Sequence, residues 1–103
     1  MTPEERRSII LAFVDTCYDM KCITDSLIRY TADFSDNTIH LQIVVRSTIS
    51  EDELDGLNYI PTYISAQFHD AQLDEEYIKI SHASEMENIA PLPIRLYHTG
   101  MPI

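Results

Sequence analysis

Apolar residues along the chain change their spacing three times, and each change predicts an element. Near the start, Thr2-Pro3-Glu4-Glu5 supplies a capping threonine, a proline suited to a first turn and a T-x-x-E box. Ile10, Phe13, Val14 and Cys17 follow at helical spacing, with Ile9 and Tyr18 widening the stripe. This predicts a helix over about residues 3–21. Strict alternation then takes over. Ile28, Tyr30, Ala32 and Phe34 share one parity; Ile39, Leu41, Ile43 and Val45 share the next. Ser35-Asp36-Asn37 between the two runs has turn chemistry, so the pattern predicts a β-hairpin with one buried face.

A helical period returns after Thr48. Ser50 and Glu53 form a second capping box, and Leu54, Leu57, Pro61, Ile64 and Phe68 trace an apolar row. Pro61 lacks the N–H that a helix interior needs, so it must kink this helix or restart it near Asn58. Helix is predicted over about residues 50–70, in two pieces. Ile78, Ile80 and His82 then share the parity of an inward row in a third strand. After a polar connection, Pro91 and Pro93 enforce an extended path into Ile94–His98, a short edge strand or the start of an extended tail over 91–103. The order is α-β-β-α-β(-β). Its simplest packing is an α+β two-layer sandwich in one domain over residues 1–103. Two helices lie on one face of a small, mostly antiparallel sheet.

Element order over about residues 1–83 is similar to that of the cytosolic domain of cation diffusion facilitator transporters. That domain's His-rich metal pattern is absent here, so the resemblance carries over no metal ligand.

Charge changes the picture more than any motif does. Seventeen acids face seven Lys and Arg, a formal charge of −10. Such a surface repels phosphate backbones and anionic membranes, which argues against nucleic-acid and membrane partners. It favours fast, salt-sensitive capture of basic protein partners. The distribution is uneven. Residues 47–78 hold Glu51, Asp52, Glu53, Asp55, Asp70, Asp74, Glu75 and Glu76 with no Lys or Arg. Helix initiation accounts for Glu51, Asp52 and Glu53, because the first turn favours negative charge. It leaves Asp55 and the missing counter-charges unexplained. Asp52, Asp55, Tyr59 and Tyr63 fall along one helical stripe beside the core row. Together with Asp70 they form the candidate partner-binding set, tyrosine rings giving rigid contact area and carboxylates steering a cationic partner.

Chemistry beyond binding finds little support. His40, His69, His82 and His98 are scattered singly, and Cys17 and Cys22 have no second half of a zinc motif. With two glycines there is no phosphate cradle. No catalytic residue, metal ligand or cofactor is assigned. The absence of a leader-like or membrane-spanning run, with two cysteines only, points to a cytoplasmic setting. The preferred reading is an acidic, non-enzymatic binding module or inhibitor of the immunity-protein, antitoxin or phage-inhibitor kind. Two alternatives stand beside it: an assembly protein that forms a homodimer through its C-terminal segment, and a small metal-responsive domain.

Overall fold

A computed structural model describes residues 1–20 and 23–99; of Tyr18, Asp19 and Met20 it describes the backbone only. Cys22, the Tyr18 side chain and residues 100–103 of the expected tail lie outside the described residues. The elements are α1 (Pro3–Met20), β1 (Leu27–Ser35), β2 (Thr38–Arg46), α2 (Glu51–Leu57), α3 (Tyr59–Ser65), β3 (Gln72–Ile80), a 3₁₀ turn (Ala83–Asn88) and β4 (Ile94–His98). One four-stranded sheet runs β3-β2-β1-β4. β1 pairs antiparallel with both β2 and β4, and β2 pairs parallel with β3. The predicted α+β sandwich is thus the observed one, with the second helix in two pieces.

The β1–β2 hairpin closes through Asp36 and Asn37, whose φ values of 51° and 58° are left-handed. Paired left-handed residues give the turn whose twist matches that of two strands, and Asp and Asn tolerate it best after glycine. On the helix side of the sheet, Tyr30, Ala32, Ile39, Leu41, Ile43 and Val45 meet Ile9, Ala12 and Phe13 of α1. Leu57, Ile60 and Ile64 of α2 and α3 complete the core. The Phe13 and Tyr30 rings pack edge to face at 5.0 Å.

Three expectations about which side chains face inward are corrected. On α1, Val14 is exposed, while Ala12 and Thr16 are buried. The buried row is Ile9–Phe13–Thr16, a third of a turn away from the predicted one. Thr16 can face the core because its hydroxyl donates to the Ala12 carbonyl at 2.6 Å. On β1, Ile28 leaves the main core. The pairing jumps from Leu27↔Val45 to Arg29↔Val44, so Ile28 is the extra residue of a bulge and Leu27 takes the inward place. On β3, parallel register sets Tyr77 beside Ile43 and Ile78 beside Val44. Tyr77 therefore packs toward the helices, and Ile78 and Ile80 point the other way. His82 stands exposed at the head of the 3₁₀ turn rather than at the end of an inward row.

The hairpin also has two buried faces, not one. The connection from β3 to β4 crosses the sheet on the side opposite the helices, from one edge to the other. Met86 and Ile89 of this strap pack on Ile28, Val44, Ile78 and Ile80. Beneath it lies a polar network. Gln42 Oε1 accepts from Arg29 Nη2 at 2.9 Å and from Thr31 Oγ1 at 3.3 Å. Gln42 Nε2 donates to the Ala90 carbonyl at 3.0 Å, and Arg29 Nη2 donates to the Ile89 carbonyl at 3.1 Å. The Leu92 amide donates to Thr31 Oγ1 at 3.2 Å. Alternate polar residues on β1 and β2 thus supply the strap's backbone with the partners that burial would otherwise deny it. Ile94–His98, expected as a tail or edge strand, is an edge strand paired to β1 of its own chain.

Candidate functional site: an acidic, tyrosine-bearing helix face

The α2–α3 unit begins at Ser50. Its hydroxyl accepts from the Glu53 amide at 3.1 Å, and Glu53 Oε1 accepts from the Ser50 amide at 3.2 Å. The other Glu53 oxygen accepts from Thr24 Oγ1 at 2.5 Å, which ties α2 to the segment leading into β1. Hydrogen bonds from Thr24, Ser26 and the Ser50 amide bring the Glu53 carboxyl down to about 2. Glu53 is therefore spent on holding the helix in place. Of the four carboxylates in residues 51–55, Glu51, Asp52 and Asp55 remain exposed.

Helix α2 stops at Leu57 and α3 starts at Tyr59, with Asn58 between them still in helical geometry (φ −65°, ψ −16°). Pro61 explains the break, since it cannot donate to the Leu57 carbonyl four residues earlier. The proline ring is buried in the first turn of α3. Asn58 Oδ1 accepts from the Tyr77 hydroxyl at 2.6 Å, which fastens the break to β3. Burial, with the Glu75 charge adding to it, pushes the Tyr77 phenol up to about 12, so it stays a donor.

Buried Leu57, Ile60, Pro61 and Ile64 fix which side of this unit faces water. Tyr59 and Tyr63, at 50% and 49% exposure, lie on the solvent side with Asp52 and Asp55. Among the described residues the one ion pair is His40 Nδ1 with Asp74 Oδ2 at 3.2 Å, so no Lys or Arg sits on Glu51, Asp52 or Asp55. Arg29 lies under the strap and Arg46 Nε donates to the Asp25 carbonyl at 2.8 Å. Asp70 is elsewhere. Its backbone carbonyl accepts from Asn37 Nδ2 at 2.8 Å, beside the β1–β2 turn. Ser50 and Thr24 mark the other end of the same strands, roughly 25–30 Å away for a nine-residue strand. Asp52, Asp55, Tyr59 and Tyr63 are thus exposed positions of one α2–α3 unit that starts at this far end, whereas Asp70 follows α3 in the connection to β3, at the turn end with Asp36.

Among the described residues no three His, Cys, Asp or Glu side chains converge in a way that could hold a metal ion, and no helix is long and apolar enough to cross a membrane. His40 faces outward from β2 onto Asp74 of β3, a strand contact on an open surface. Sequence reasoning assigned nothing to Arg29, Arg95 and His98, which the β1–β4 ladder gathers on the strap side of the sheet. Arg29 and Thr31 show an outward parity in the sequence, but no signal there announces that β4 would pair with β1.

Compared with protein-family models and with curated proteins, the chain matches neither a family nor a relative. The reading of its function rests on the surface itself.

Proposed function

We propose that the protein is a non-catalytic binding module whose α2–α3 face covers a basic surface on a partner protein, acting as an inhibitor or masking subunit. One observation carries this reading: two half-exposed tyrosines share the α2–α3 unit with three exposed carboxylates that have no basic neighbour within ion-pair distance among the described residues. Exposed aromatic rings on a fixed helix provide contact area at small entropic cost. Unneutralised carboxylates beside them set orientation and raise the rate of encounter with a cation-rich surface. The capping box, the Asn58–Tyr77 hydrogen bond and the buried row beneath hold this face on rigid elements, which limits the ordering cost on binding.

The test compares the wild-type chain with the double variant Asp55→Ala/Tyr59→Ala. Both are immobilised, exposed to native extract at low and at high salt, and their captured proteins are quantified. Both side chains are solvent-facing, so the melting temperature should change little. A basic protein held by the wild type at low salt, released at high salt and lost from the variant supports the reading. Equal capture by a folded variant removes this face from consideration.

A further inference from the structure

On the strap side of the sheet, Arg29, Pro91, Arg95, Tyr97 and His98 line a cleft of about 210 Å³. Two of the chain's seven Lys and Arg residues meet there, in a protein whose formal charge is −10. β1–β4 pairing builds the cluster. Arg29 stands directly across from His98, and Arg95 stands across from Thr31, one step along on the same face. Like charges set side by side across strands repel, so this grouping carries a cost that its surroundings should relieve. Here they do not. Among the described residues no carboxylate lines the cleft, and none lies within ion-pair distance of either guanidinium.

Arg29 is the sharper observation. It is 9% exposed, and its Nη2 is committed to Gln42 and the Ile89 carbonyl. Its Nε, also buried, has no hydrogen-bond acceptor among the described residues. A buried charged donor without an acceptor costs free energy, which adds to the cost of the uncompensated positive charge gathered here. Burial and the neighbouring Arg95 charge both hold the Arg29 guanidinium below its ordinary pKa, as expected where positive charge is crowded and uncompensated. His98 Nδ1 lies 2.7 Å from the Thr99 carbonyl, which orients the ring and leaves Nε2 as its remaining polar atom.

We propose that this cleft is a binding site for a small oxyanion, a carboxylate or phosphate group, held between the Arg29 and Arg95 guanidiniums with His98 beside them. The planar fork of an arginine suits such groups because it offers parallel donors to two oxygens. Arg29 is preset by its bonds to Gln42 and the strap. Arg95 is exposed and free to close on the ligand. The site is on the opposite layer from the α2–α3 face, so it stands or falls independently of the partner-binding reading.

The experiment uses the full chain labelled with ¹⁵N. Inorganic phosphate and acetate are titrated separately, each against sodium chloride at matched ionic strength. Amide and side-chain signals are followed, including the Arg29 Nε–H. Saturable shifts at Arg29, Arg95 and His98 with either anion, absent with chloride, support the site. The preference between phosphate and acetate names the class of ligand. Arg95→Gln should weaken binding about tenfold, the low end for losing a charge-assisted bond from an exposed side chain. Lys79→Gln, on the other edge strand, should leave it unchanged. Because Arg95 is exposed, its variant is expected to fold even where an Arg29 variant does not. Non-saturating shifts equal to those in chloride, or unaltered binding by folded Arg95→Gln, would overturn the proposal.

Discussion

Replacing Gln42 with leucine strikes the middle of the network under the strap. The change removes the acceptor for Arg29 Nη2 and for Thr31 Oγ1, and the donor to the Ala90 carbonyl. A hydrogen bond to a charged group contributes about 1.5–3 kcal/mol, and a neutral one about 1 kcal/mol. Leucine returns some apolar burial, so the net loss should be about 3 kcal/mol. For 103 residues the unfolding entropy near the midpoint is about 0.22 kcal/mol per degree, which converts that loss to a fall of roughly 14 °C in Tm. Arg29→Met removes the other side of the same bond. The two changes share a partner, so they should not add. The double variant should be about 1–2 kcal/mol more stable than the sum of the single losses implies. Urea unfolding of the four proteins measures this coupling. Hydrogen exchange at the Leu92 amide, which donates to Thr31, should quicken in Gln42→Leu before the core amides do. Additivity within about 0.5 kcal/mol, or a loss below about 1 kcal/mol for Gln42→Leu, would refute the claim that this network fastens the strap.

Two further outcomes are expected. Gly56→Ala should stabilise the chain by about 0.5–1 kcal/mol, a rise of roughly 2–5 °C in Tm, because Gly56 is helical, has no positive φ and has nothing within 4 Å of an added Cβ; calorimetry reads it, and a lower Tm would mean that α2 needs the glycine. Glu53→Gln tests the acid limb of stability. The folded carboxyl sits at about 2 against an ordinary 4.5, so the unfolded chain takes up the proton first; the stability Glu53 contributes is present above about pH 4.5 and is lost as pH falls toward 2. The variant should be less stable than wild type at pH 7, and the gap should close by pH 2. Parallel curves across that window would count against the assignment.

The legible parts of this fold are those decided locally. Ser50 and Glu53 specified a helix start, and the structure places both hydrogen bonds of the box there. Pro61 specified a break near Asn58, since the missing N–H is a property of one residue. Asp36-Asn37 specified the turn. What escaped depended on distant chain. The alternation of Ile78 and Ile80 was visible, but its direction was set by parallel register with β2 and by a strap that covers the outer face. Ile28 was misplaced because one bulge shifts parity, and a bulge leaves no composition signal in "LIRYT". The candidate face was legible as far as a single helix period reaches, Asp52 to Tyr63. Asp70 lies beyond α3, in the connection to β3, where its carbonyl is bonded to Asn37 of the hairpin turn, a contact that no helix period announces.

The strap also fixes an order of events. β4 completes the sheet against β1 rather than against β3, the strand made before it. The bonds that bind the strap join residues 48 to 61 positions apart in the chain. Helices, hairpin and β3 can assemble first, with their outer surface still wet. Closure of so long a loop is the slow kind of contact. On a ribosome, the crossing and the last strand emerge after the layer they must cover, so a nascent chain shows Ile28, Val44 and Ile80 to its surroundings until the final segment arrives.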